Sequence, residues 1–262
     1  MYICFKLNEL PLMLDAIVII PTYNEIENIE AIIVAVFSQN KAFHVLVVDD
    51  NSPDGTATKV KELQQKYPDS LFLQSRQQKL GLGTAYIHGF KWCLNREYQY
   101  IFEMDADFSH NPKDLIKLYN ACHKNDAALS IGSRYVKGIT VVNWPLSRII
   151  LSYGASIYVR IITGMRIKDS TAGFICYHRT VLESINFNEI KFIGYAFQIE
   201  MKFKAYLKRF KIVEVPVIFT DRTKGQSKLS SSIILEAVFG VLSMKFKSLF
   251  NNEYNERENN TN

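Results

Sequence analysis

Short apolar runs alternate with segments of helical period along the first half of the chain. Runs such as AIVIIP and HVLVVDD are nearly continuous in apolar residues, which is typical of strands buried on both faces. The pattern predicts strands at residues 16–21, 44–50, 71–74, 100–105 and 127–133, and helices at residues 27–39, 55–67, 83–95 and 112–124. Because strands and helices alternate, we expect an α/β fold with a parallel sheet covered by helices on both faces.

The glycine-rich segment GLGTAYIHG at residues 81–89 has two interpretations. Its glycines are similar to those of a phosphate-binding loop, but it lacks the GxGxxG spacing and does not follow the first strand. The segment therefore favours a tight turn into a helix.

Acidic side chains follow three of the predicted strands. The first strand leads into PTYNE, the second into VDDNSPDGT and the fourth into MDADFSH, which places Glu25, Asp50 and Asp105 after strands. The carboxyl ends of parallel strands meet at one edge of a sheet, where ligands bind. A single acidic turn would be typical of a loop cap, but several at one edge favour a metal and nucleotide site.

Asp105 and Asp107 carry the sharpest chemical signal. Residues two apart in an extended segment point the same way, so both carboxylates can face one ligand. Two carboxylates that close repel each other unless a cation lies between them. Oxygen ligands suit a hard cation, so the pair predicts a site for Mg²⁺ or Mn²⁺.

Composition adds weaker constraints. The chain has 262 residues, 48% of them hydrophobic, and can bury a large core. Its net charge of +5 permits an anionic partner such as a nucleotide, a phosphate or an acidic membrane surface. The cysteines are widely separated, which indicates reduced thiols in a cytosolic protein. No apolar stretch has the length that a membrane-spanning helix needs.

Motifs along the chain resemble those of the polyprenol (dolichol) phosphate mannosyltransferases of glycosyltransferase family 2. They are IPTYNE, VVDDNSPDGT, KLGLGTAYIHGF, MDADFSHNP, GSRY, GYAFQIEM and DRTKGQSK, in order over about residues 16–245. The resemblance implies a GT-A type, Rossmann-like, mostly parallel sheet with helices on both faces, to which the apolar segments of this sequence add C-terminal amphipathic interface helices. It also implies an inverting, metal-dependent enzyme that moves mannose from GDP-mannose to dolichyl or undecaprenyl phosphate and releases GDP.

The resemblance also implies roles for particular residues. Those for the donor nucleotide-sugar are Pro21, Tyr23, Glu25, Val48, Asp50, Asp105, Ala106, Asp107, Arg134, Arg222 and Lys228. Asp105, Asp107 and Arg134 would be catalytic. Asp105 and Asp107 would hold the metal together with Ser109, where some relatives have glutamine and a hydroxyl is the weaker ligand. Further residues near the acceptor would be Asp169, Thr171, Gly173, Gln198 and Glu200.

The acceptor phosphate needs cations rather than a general base, because it is already anionic. Arg148 and Ser152 lie four residues apart, so on a helix they share a face and can grip one phosphate. The resemblance assigns this role to Arg134, Arg148 and Ser152. The alternative for Arg148 is a surface side chain that extends from an apolar helix. The basic loop DRTKGQSK, with Lys224 beside Arg222 and Lys228, is either a lid over the diphosphate or a solvated loop.

We predict a leader or wrongly assigned start at residues 1–13, a catalytic domain at 14–228 with an interface helix at about 145–163, an amphipathic helix at 229–250, and a disordered tail at 251–262. The apolar helices are either membrane-surface helices or ordinary core helices. A polyprenyl tail stays in lipid, so we expect a peripheral protein on the cytoplasmic membrane face, either alone or with a membrane partner subunit, and no nucleic-acid partner. Alternative functions are a UDP-glucose-dependent polyprenyl-phosphate glucosyltransferase and a non-catalytic nucleotide-binding membrane scaffold.

Overall fold

A computed structural model describes residues 15–221 and 231–250 of the chain. Its core is a 7-stranded sheet with the strand order β3-β2-β1-β4-β7-β5-β8, and a 2-stranded sheet of β6 and β9 lies beside it. The strands are β1 (Ala16–Thr22), β2 (His44–Asp49), β3 (Leu71–Ser75), β4 (Tyr100–Glu103), β5 (Leu129–Ser133), β6 (Val141–Val142), β7 (Ile175–His178), β8 (Ile212–Pro216) and β9 (Phe219–Thr220).

The helices follow the strands much as the sequence pattern predicts. They are α1 (Ile29–Phe37), α2 (Thr56–Lys66), α3 (Leu82–Leu94), α4 (Leu115–His123), α5 (Leu146–Thr163), α6 (Arg179–Glu183), α7 (Tyr195–Leu207) and α8 (Ser231–Phe250). The predicted first helices and strands are confirmed, with ends that differ by a few residues. The largest local difference is at Pro112, where a single 3-10 turn precedes α4.

Helices cover both faces of the sheet, as predicted. Along β1, Ile17 and Ile19 pack in one core cluster with residues of α3 and α7, whereas Val18 and Ile20 pack in a second cluster with residues of α1 and α4. Successive side chains of a strand point to opposite faces, so one nearly continuous apolar run supplies both cores. The cysteines within the described residues, Cys93, Cys122 and Cys176, are unpaired and buried.

Strand β7 is the feature that the sequence pattern does not predict. It lies between β4 and β5 and is antiparallel to both, with Glu103 opposite Ile175 and Leu129 opposite Tyr177. At four residues, β7 is too short to give a clear alternation. Because its direction is reversed, its amino end meets the carboxyl end of β4. The loop that precedes β7 therefore lies beside the turn that contains Asp105.

Helices α5 and α8 contact each other, and the hydroxyl of Tyr158 on α5 donates to the backbone carbonyl of Val238 on α8 at 2.9 Å. Both carry large apolar side chains that are exposed to solvent. On α5 these are Leu146, Ile150, Leu151, Ile157 and Ile161, and on α8 they are Phe239, Leu242, Phe246, Leu249 and Phe250. Within residues 15–221 and 231–250, no helix is long and apolar enough to cross a bilayer.

Several predictions fall on residues outside this description. The leader at residues 1–13 and the tail at 251–262 lie there, and so do Arg222, Lys224 and Lys228 of the predicted basic loop. These predictions stay as they are.

The glycine-rich segment forms a turn into α3, as predicted. Gly81 precedes the helix with a φ of +103°, a backbone conformation that residues with a Cβ rarely adopt. Gly83, in the first turn of α3, lies against α7, because a Cβ built there would be 2.7 Å from the ring of Phe197. The glycines therefore allow close helix packing.

We expect Gly83→Ala to lower the free energy of unfolding by about 1–3 kcal/mol, because the added methyl group overpacks the contact with Phe197. Gly154→Ala on α5 is the control, since a Cβ there meets no atom within 4 Å and alanine favours a helix. Urea unfolding followed by circular dichroism measures both variants. Equal stability of Gly83→Ala and the unsubstituted protein would contradict this packing argument.

Candidate active site

The acidic turns meet at one edge of the sheet, as the strand pattern predicts. Strands β2, β1 and β4 are parallel neighbours, and Thr22 at the end of β1 is opposite Asp49 at the end of β2. The Thr22 hydroxyl donates to Asp49 at 2.8 Å, and the Asp50 backbone N–H donates to the Thr22 carbonyl at 3.0 Å. The turns after β1 and β2 are thus joined by hydrogen bonds.

The two aspartates after β2 have different surroundings. Asp49 is fully buried and accepts hydrogen bonds from Thr22 and from the backbone and hydroxyl of Ser52. Asp50 accepts from Nε and Nη2 of Arg76 at 2.6 and 2.7 Å, and Arg76 also donates to Thr84 on α3. A nucleoside at Asp50, as predicted, would meet a carboxylate already paired with an arginine.

Arg76 is a residue that the sequence reasoning missed. It follows β3 directly and therefore lies at the same sheet edge as the acidic turns. Its position after a strand was a signal that could have found it, by the rule that identified Asp50 and Asp105. The prediction considered acidic strand ends only.

The other predicted nucleotide residues surround the ends of β1 and β2. Pro21 is opposite Val48 in the sheet register, and the ammonium group of Lys79 lies 4.2 Å from the centre of the Tyr23 ring. Glu25 accepts a hydrogen bond from the side chain of Asn28 at 3.0 Å. The structure therefore places these predicted residues along one stretch of the edge.

The turn after β4 is shaped by hydrogen bonds to its own residues. The backbone N–H of Asp105 donates to Nδ1 of His110 at 3.1 Å, and that of Ser109 donates to Asp107 Oδ1 at 3.0 Å. Phe108 has a φ of +61°, a strained conformation for a bulky residue that is found most often at functional sites.

His110 packs against this turn and accepts a hydrogen bond from it. The sequence reasoning did not single this residue out. Its ring stacks on Phe174, with ring centres 4.9 Å apart. Burial lowers the pKa of His110 to about 4, so the imidazole is neutral and its Nδ1 can accept the Asp105 N–H. The histidine is part of the MDADFSH motif, which was its only sequence signal.

The turn fits a divalent cation that is shared with a phosphate ligand. Asp105, Asp107 and Ser109 line one cavity, and the Asp105 side chain is 39% exposed. The hydroxyl oxygen of Ser109 is buried without a hydrogen-bond partner. Among the described residues, no group of three or more His, Cys, Asp and Glu side chains could hold a metal. The oxygen donors of this turn are of the kind that Mg²⁺ and Mn²⁺ bind together with water or phosphate oxygens.

Arg134 lines the same cavity and forms a buried ion pair with Asp169. Its Nε and Nη2 donate to the two carboxylate oxygens of Asp169 at 2.7 and 2.5 Å, and its backbone N–H donates to the same carboxylate at 2.8 Å. Nη2 also donates to Thr171 at 2.8 Å. Glu214 on β8 accepts the Asp169 backbone N–H at 2.9 Å. Asp169 thus acts on the cavity through Arg134, whereas Thr171 binds Arg134 and also lines the cavity itself.

The other predicted phosphate residues lie on α5. Arg148 donates to Asp221 at 2.8 Å, in a partly exposed ion pair, and the hydroxyl of Tyr135 donates to Ser152 at 2.8 Å. Arg134, Arg148 and Ser152 all line the same cavity as Asp105 and Asp107.

The cavity has a volume of about 530 Å³ and a lining of two chemical kinds. The polar lining comes from the acidic turn and the arginines. The apolar lining comes largely from α5, α7 and α8 and includes Ile150, Leu151, Ala155, Val159, Ile199, Val238 and Val241. The arrangement can hold a molecule with an anionic head and an apolar tail.

Buried polar groups support the cavity from the core side. Gln198 on α7 lines the cavity and donates to Glu103, which also accepts from the hydroxyl of Tyr177 at 3.3 Å. Burial raises the pKa of Glu103 to about 8 and lowers that of Lys202 to about 8. Lys202 donates to the backbone carbonyls of Ala172 and Gln198.

Glu200 and Gly173 were also expected near the acceptor. Glu200 accepts hydrogen bonds from the backbone N–H groups of Lys191 and Phe192 at 3.0 and 3.1 Å, so it holds the segment before α7 in place. Gly173 lines the cavity, where a Cβ would come within 3.7 Å of the Gln198 amide.

Comparison with known proteins gives the class of protein. Residues 17–186 match the profile described as glycosyl transferase family 2. The chain is similar in fold to glucosyl-3-phosphoglycerate synthase from Mycobacterium tuberculosis, with a TM-score of 0.65, 16% identity, and coverage of 88% of this chain and 80% of that one. It is also similar to a mannosyltransferase from Pyrobaculum calidifontis in complex with GDP-Man and Mn²⁺, with a TM-score of 0.55, 15% identity, and coverage of 90% and 74%. The sheet and its helices are thus of the GT-A type.

Sequence relatives give a narrower grouping. The chain is 48% identical to a polyprenol monophosphomannose synthase from Mycolicibacterium smegmatis over 86% of this chain and 84% of the relative. It is 44% identical to an undecaprenyl-phosphate mannosyltransferase from Micrococcus luteus over 85% of this chain and 90% of the relative. The chain therefore belongs to glycosyltransferase family 2, within the group of polyprenol phosphate mannosyltransferases.

We expect Asp169→Asn to lower the free energy of unfolding by about 3–5 kcal/mol, because it leaves the buried guanidinium of Arg134 without its charge partner. Asp221→Asn is the matched control at a partly exposed arginine and should cost about 1 kcal/mol or less. Urea unfolding measures the two variants in parallel. If both variants lose a similar amount of unfolding free energy, the buried ion pair of Arg134 contributes no more to stability than the partly exposed one of Arg148.

Proposed function

We propose that this protein transfers mannose from GDP-mannose to a polyprenyl phosphate, with inversion at the sugar carbon, and releases GDP. One observation carries the proposal. A single cavity joins the acidic turn of Asp105 and Asp107 to the cations Arg134 and Arg148, and continues into an apolar space between α5, α7 and α8. Such a cavity matches a donor diphosphate, an acceptor phosphate and a lipid chain held at one site.

The donor would lie along the edge of the sheet, with its nucleoside outside the cavity and its diphosphate at the turn that lines the cavity. Pro21, Tyr23, Glu25, Val48 and Asp50 would hold the nucleoside, and the turn from Asp105 to Ser109 would face the diphosphate, with Ala106 between the two aspartates. A divalent cation held by Asp105, Asp107 and the Ser109 hydroxyl would stabilise the charge on the leaving GDP. His110 holds the backbone of Asp105, and the hydrogen bond from Ser109 holds the carboxylate of Asp107. Arg222 and Lys228 stay predicted partners of the diphosphate.

The acceptor end supplies cations and a hydroxyl group. A phosphate oxygen of the lipid attacks the sugar carbon directly, and the bond to the diphosphate breaks with its electron pair remaining on GDP. The acceptor is already an anion, so no side chain has to remove a proton. Arg134, Arg148 and Ser152 align it. Ser152 accepts a hydrogen bond from Tyr135, so its own hydroxyl proton can point to the phosphate.

The apolar helices suit a protein that works at a membrane surface. Leu146 and Ile161 on α5 are 70% and 75% exposed, and Phe250 on α8 is 74% exposed. Large apolar side chains on neighbouring helices are typical of interaction sites, and a polyprenyl chain must stay in lipid while its phosphate enters the cavity. We therefore propose peripheral binding to the cytoplasmic membrane face.

The purified protein should form a mannolipid from radiolabelled GDP-mannose and a short polyprenyl phosphate in the presence of Mg²⁺ or Mn²⁺. Asp107→Asn should reduce the rate by about a hundredfold or more, because it weakens the site that faces the leaving diphosphate. Asp126→Asn, an exposed carboxylate in another loop, is the control and should keep the rate. The product is measured by organic extraction and thin-layer chromatography.

Parallel reactions separate the alternatives. Transfer from UDP-glucose but not from GDP-mannose would overturn the donor, and transfer to the polyprenol without its phosphate would overturn the acceptor. No lipid product from either donor would favour the non-catalytic scaffold.

Membrane binding is tested with the double variant Leu146→Glu and Ile161→Glu. We expect it to lower the affinity for vesicles that contain phosphatidylglycerol by about tenfold or more, because two exposed apolar side chains become charged. Val34→Glu on α1, at 40% exposure on the other side of the sheet, is the control. Co-sedimentation measures binding. If the double variant and the control bind equally, α5 is not part of the membrane surface.

A further inference from the structure

Trp144 lies at the junction between the small sheet and α5. It follows β6, after Asn143 with a φ of +64°, and it precedes Pro145, which caps the start of α5. Strand β6 pairs with β9, and the Asp221 backbone N–H after β9 donates to the Val142 carbonyl at 3.0 Å. The small sheet therefore brings the indole ring and the carboxylate of Asp221 to the same rim of the cavity.

The indole ring contacts both arginines that face the cavity. The Arg148 guanidinium carbon lies 4.0 Å from the ring centre of Trp144, and that of Arg134 lies 5.3 Å from it. Phe219 packs edge-on against the ring at 5.3 Å and holds it in place. The ring lines the cavity, and its Nε1 is buried without a hydrogen-bond partner.

Two guanidinium groups at one site repel each other, and both must face the same phosphate. The face of an indole ring attracts cations through its quadrupole and lets a guanidinium stack flat on it. Each arginine is already paired with one aspartate, and the ring adds attraction without adding a further negative charge that would repel a phosphate. Arg148 can therefore keep donor groups for a ligand while it rests on the ring, since its bond to Asp221 uses one of five N–H donors.

We propose that Trp144 is a positioning residue that holds the guanidinium groups of Arg134 and Arg148 toward one lipid phosphate and so sets the affinity for the acceptor. The inference rests on the proposed function, because the lipid phosphate is the acceptor in that reaction. The ring lies nearer to Arg148, which is assigned to the acceptor alone, than to Arg134, which is also expected to contact the donor, so Trp144 acts mainly on the acceptor side. Its loss therefore changes acceptor binding more than donor binding.

Steady-state kinetics of the mannosyl transfer provide the first test. Trp144→Leu should raise KM for the polyprenyl phosphate about tenfold, as expected for the loss of cation–π contacts to two arginines, and change KM for GDP-mannose by less than about twofold. Trp144→Phe keeps an aromatic face and should restore part of the affinity. Thermal melting of each variant shows whether it is folded.

A control exists elsewhere in the chain. Trp92 on α3 forms a similar pair with Arg96, whose guanidinium carbon lies 3.4 Å from the ring, and neither residue lines the cavity. Trp92→Phe should leave both KM values unchanged. An equal rise in acceptor KM for Trp92→Phe and Trp144→Leu would overturn the inference.

Fluorescence gives a second test that does not need turnover. The chain has 2 tryptophans, so Trp92→Phe leaves Trp144 as the single indole. Polyprenyl phosphate should change its emission, whereas the same polyprenol without phosphate should have little effect. Equal responses to both lipids would contradict a role in holding phosphate.

The outcomes separate the inference from the function on which it rests. If the unsubstituted protein forms the mannolipid and Trp144→Leu has a normal KM for the acceptor, the inference is wrong and the function stands. If the unsubstituted protein forms no mannolipid and the single-indole variant does not respond to polyprenyl phosphate, both are wrong.

Discussion

Arg134 and Asp169 form a buried ion pair on which the shape of the cavity depends. Arg134 follows β5, Asp169 lies in the loop before β7, and Glu214 on β8 accepts hydrogen bonds from the Asp169 backbone and from Ser133. The pair therefore connects three neighbouring strands at one edge. Removing two charges from water is costly, so the pair persists only because several hydrogen bonds satisfy it. The loop that contains Asp169 also lies beside the turn of Asp105, because the start of β7 is paired with the end of β4.

Side chains of both charges line the same cavity. The carboxylates of Asp105 and Asp107 lie in the turn after β4, whereas the cations of Arg134 and Arg148 are each paired with another aspartate. The neutral ring of His110 packs on Phe174 and accepts a hydrogen bond from the acidic turn. A site that carries both carboxylates for a cation and arginines for a phosphate suits two anionic substrates. The arrangement agrees with the transfer between a diphosphate donor and a phosphate acceptor.

The apolar half of the site belongs to helices rather than to the sheet. Helix α5 contributes Arg148 and Ser152 to the polar rim and apolar side chains to the wall, and its outer residues Leu146 and Ile161 are exposed. One helix thus connects the phosphate site, the apolar cavity and the exposed surface. The proposal of a lipid acceptor and that of membrane binding depend on this single element.

The sequence alone determined the repeating strands and helices, the acidic strand ends and the turn of Asp105 and Asp107. These features follow from side-chain periodicity and turn chemistry, which act over a few residues. The motifs also indicated the family, and the comparisons confirm it. Position after a strand could not show that Asp49 is buried and Asp50 is paired with Arg76, because partners far apart in the chain decide that.

Only the tertiary structure decided how the cavity is assembled. Strand β7 runs antiparallel between β4 and β5, and its loop brings Asp169 to Arg134 from 35 residues away. In the sequence, His110 and Trp144 are single residues without a periodic pattern. Their roles follow from ring contacts that the folded chain forms. The physical reason is that ion pairs and ring contacts depend on which strands pair and in which direction. Local sequence patterns do not specify that choice.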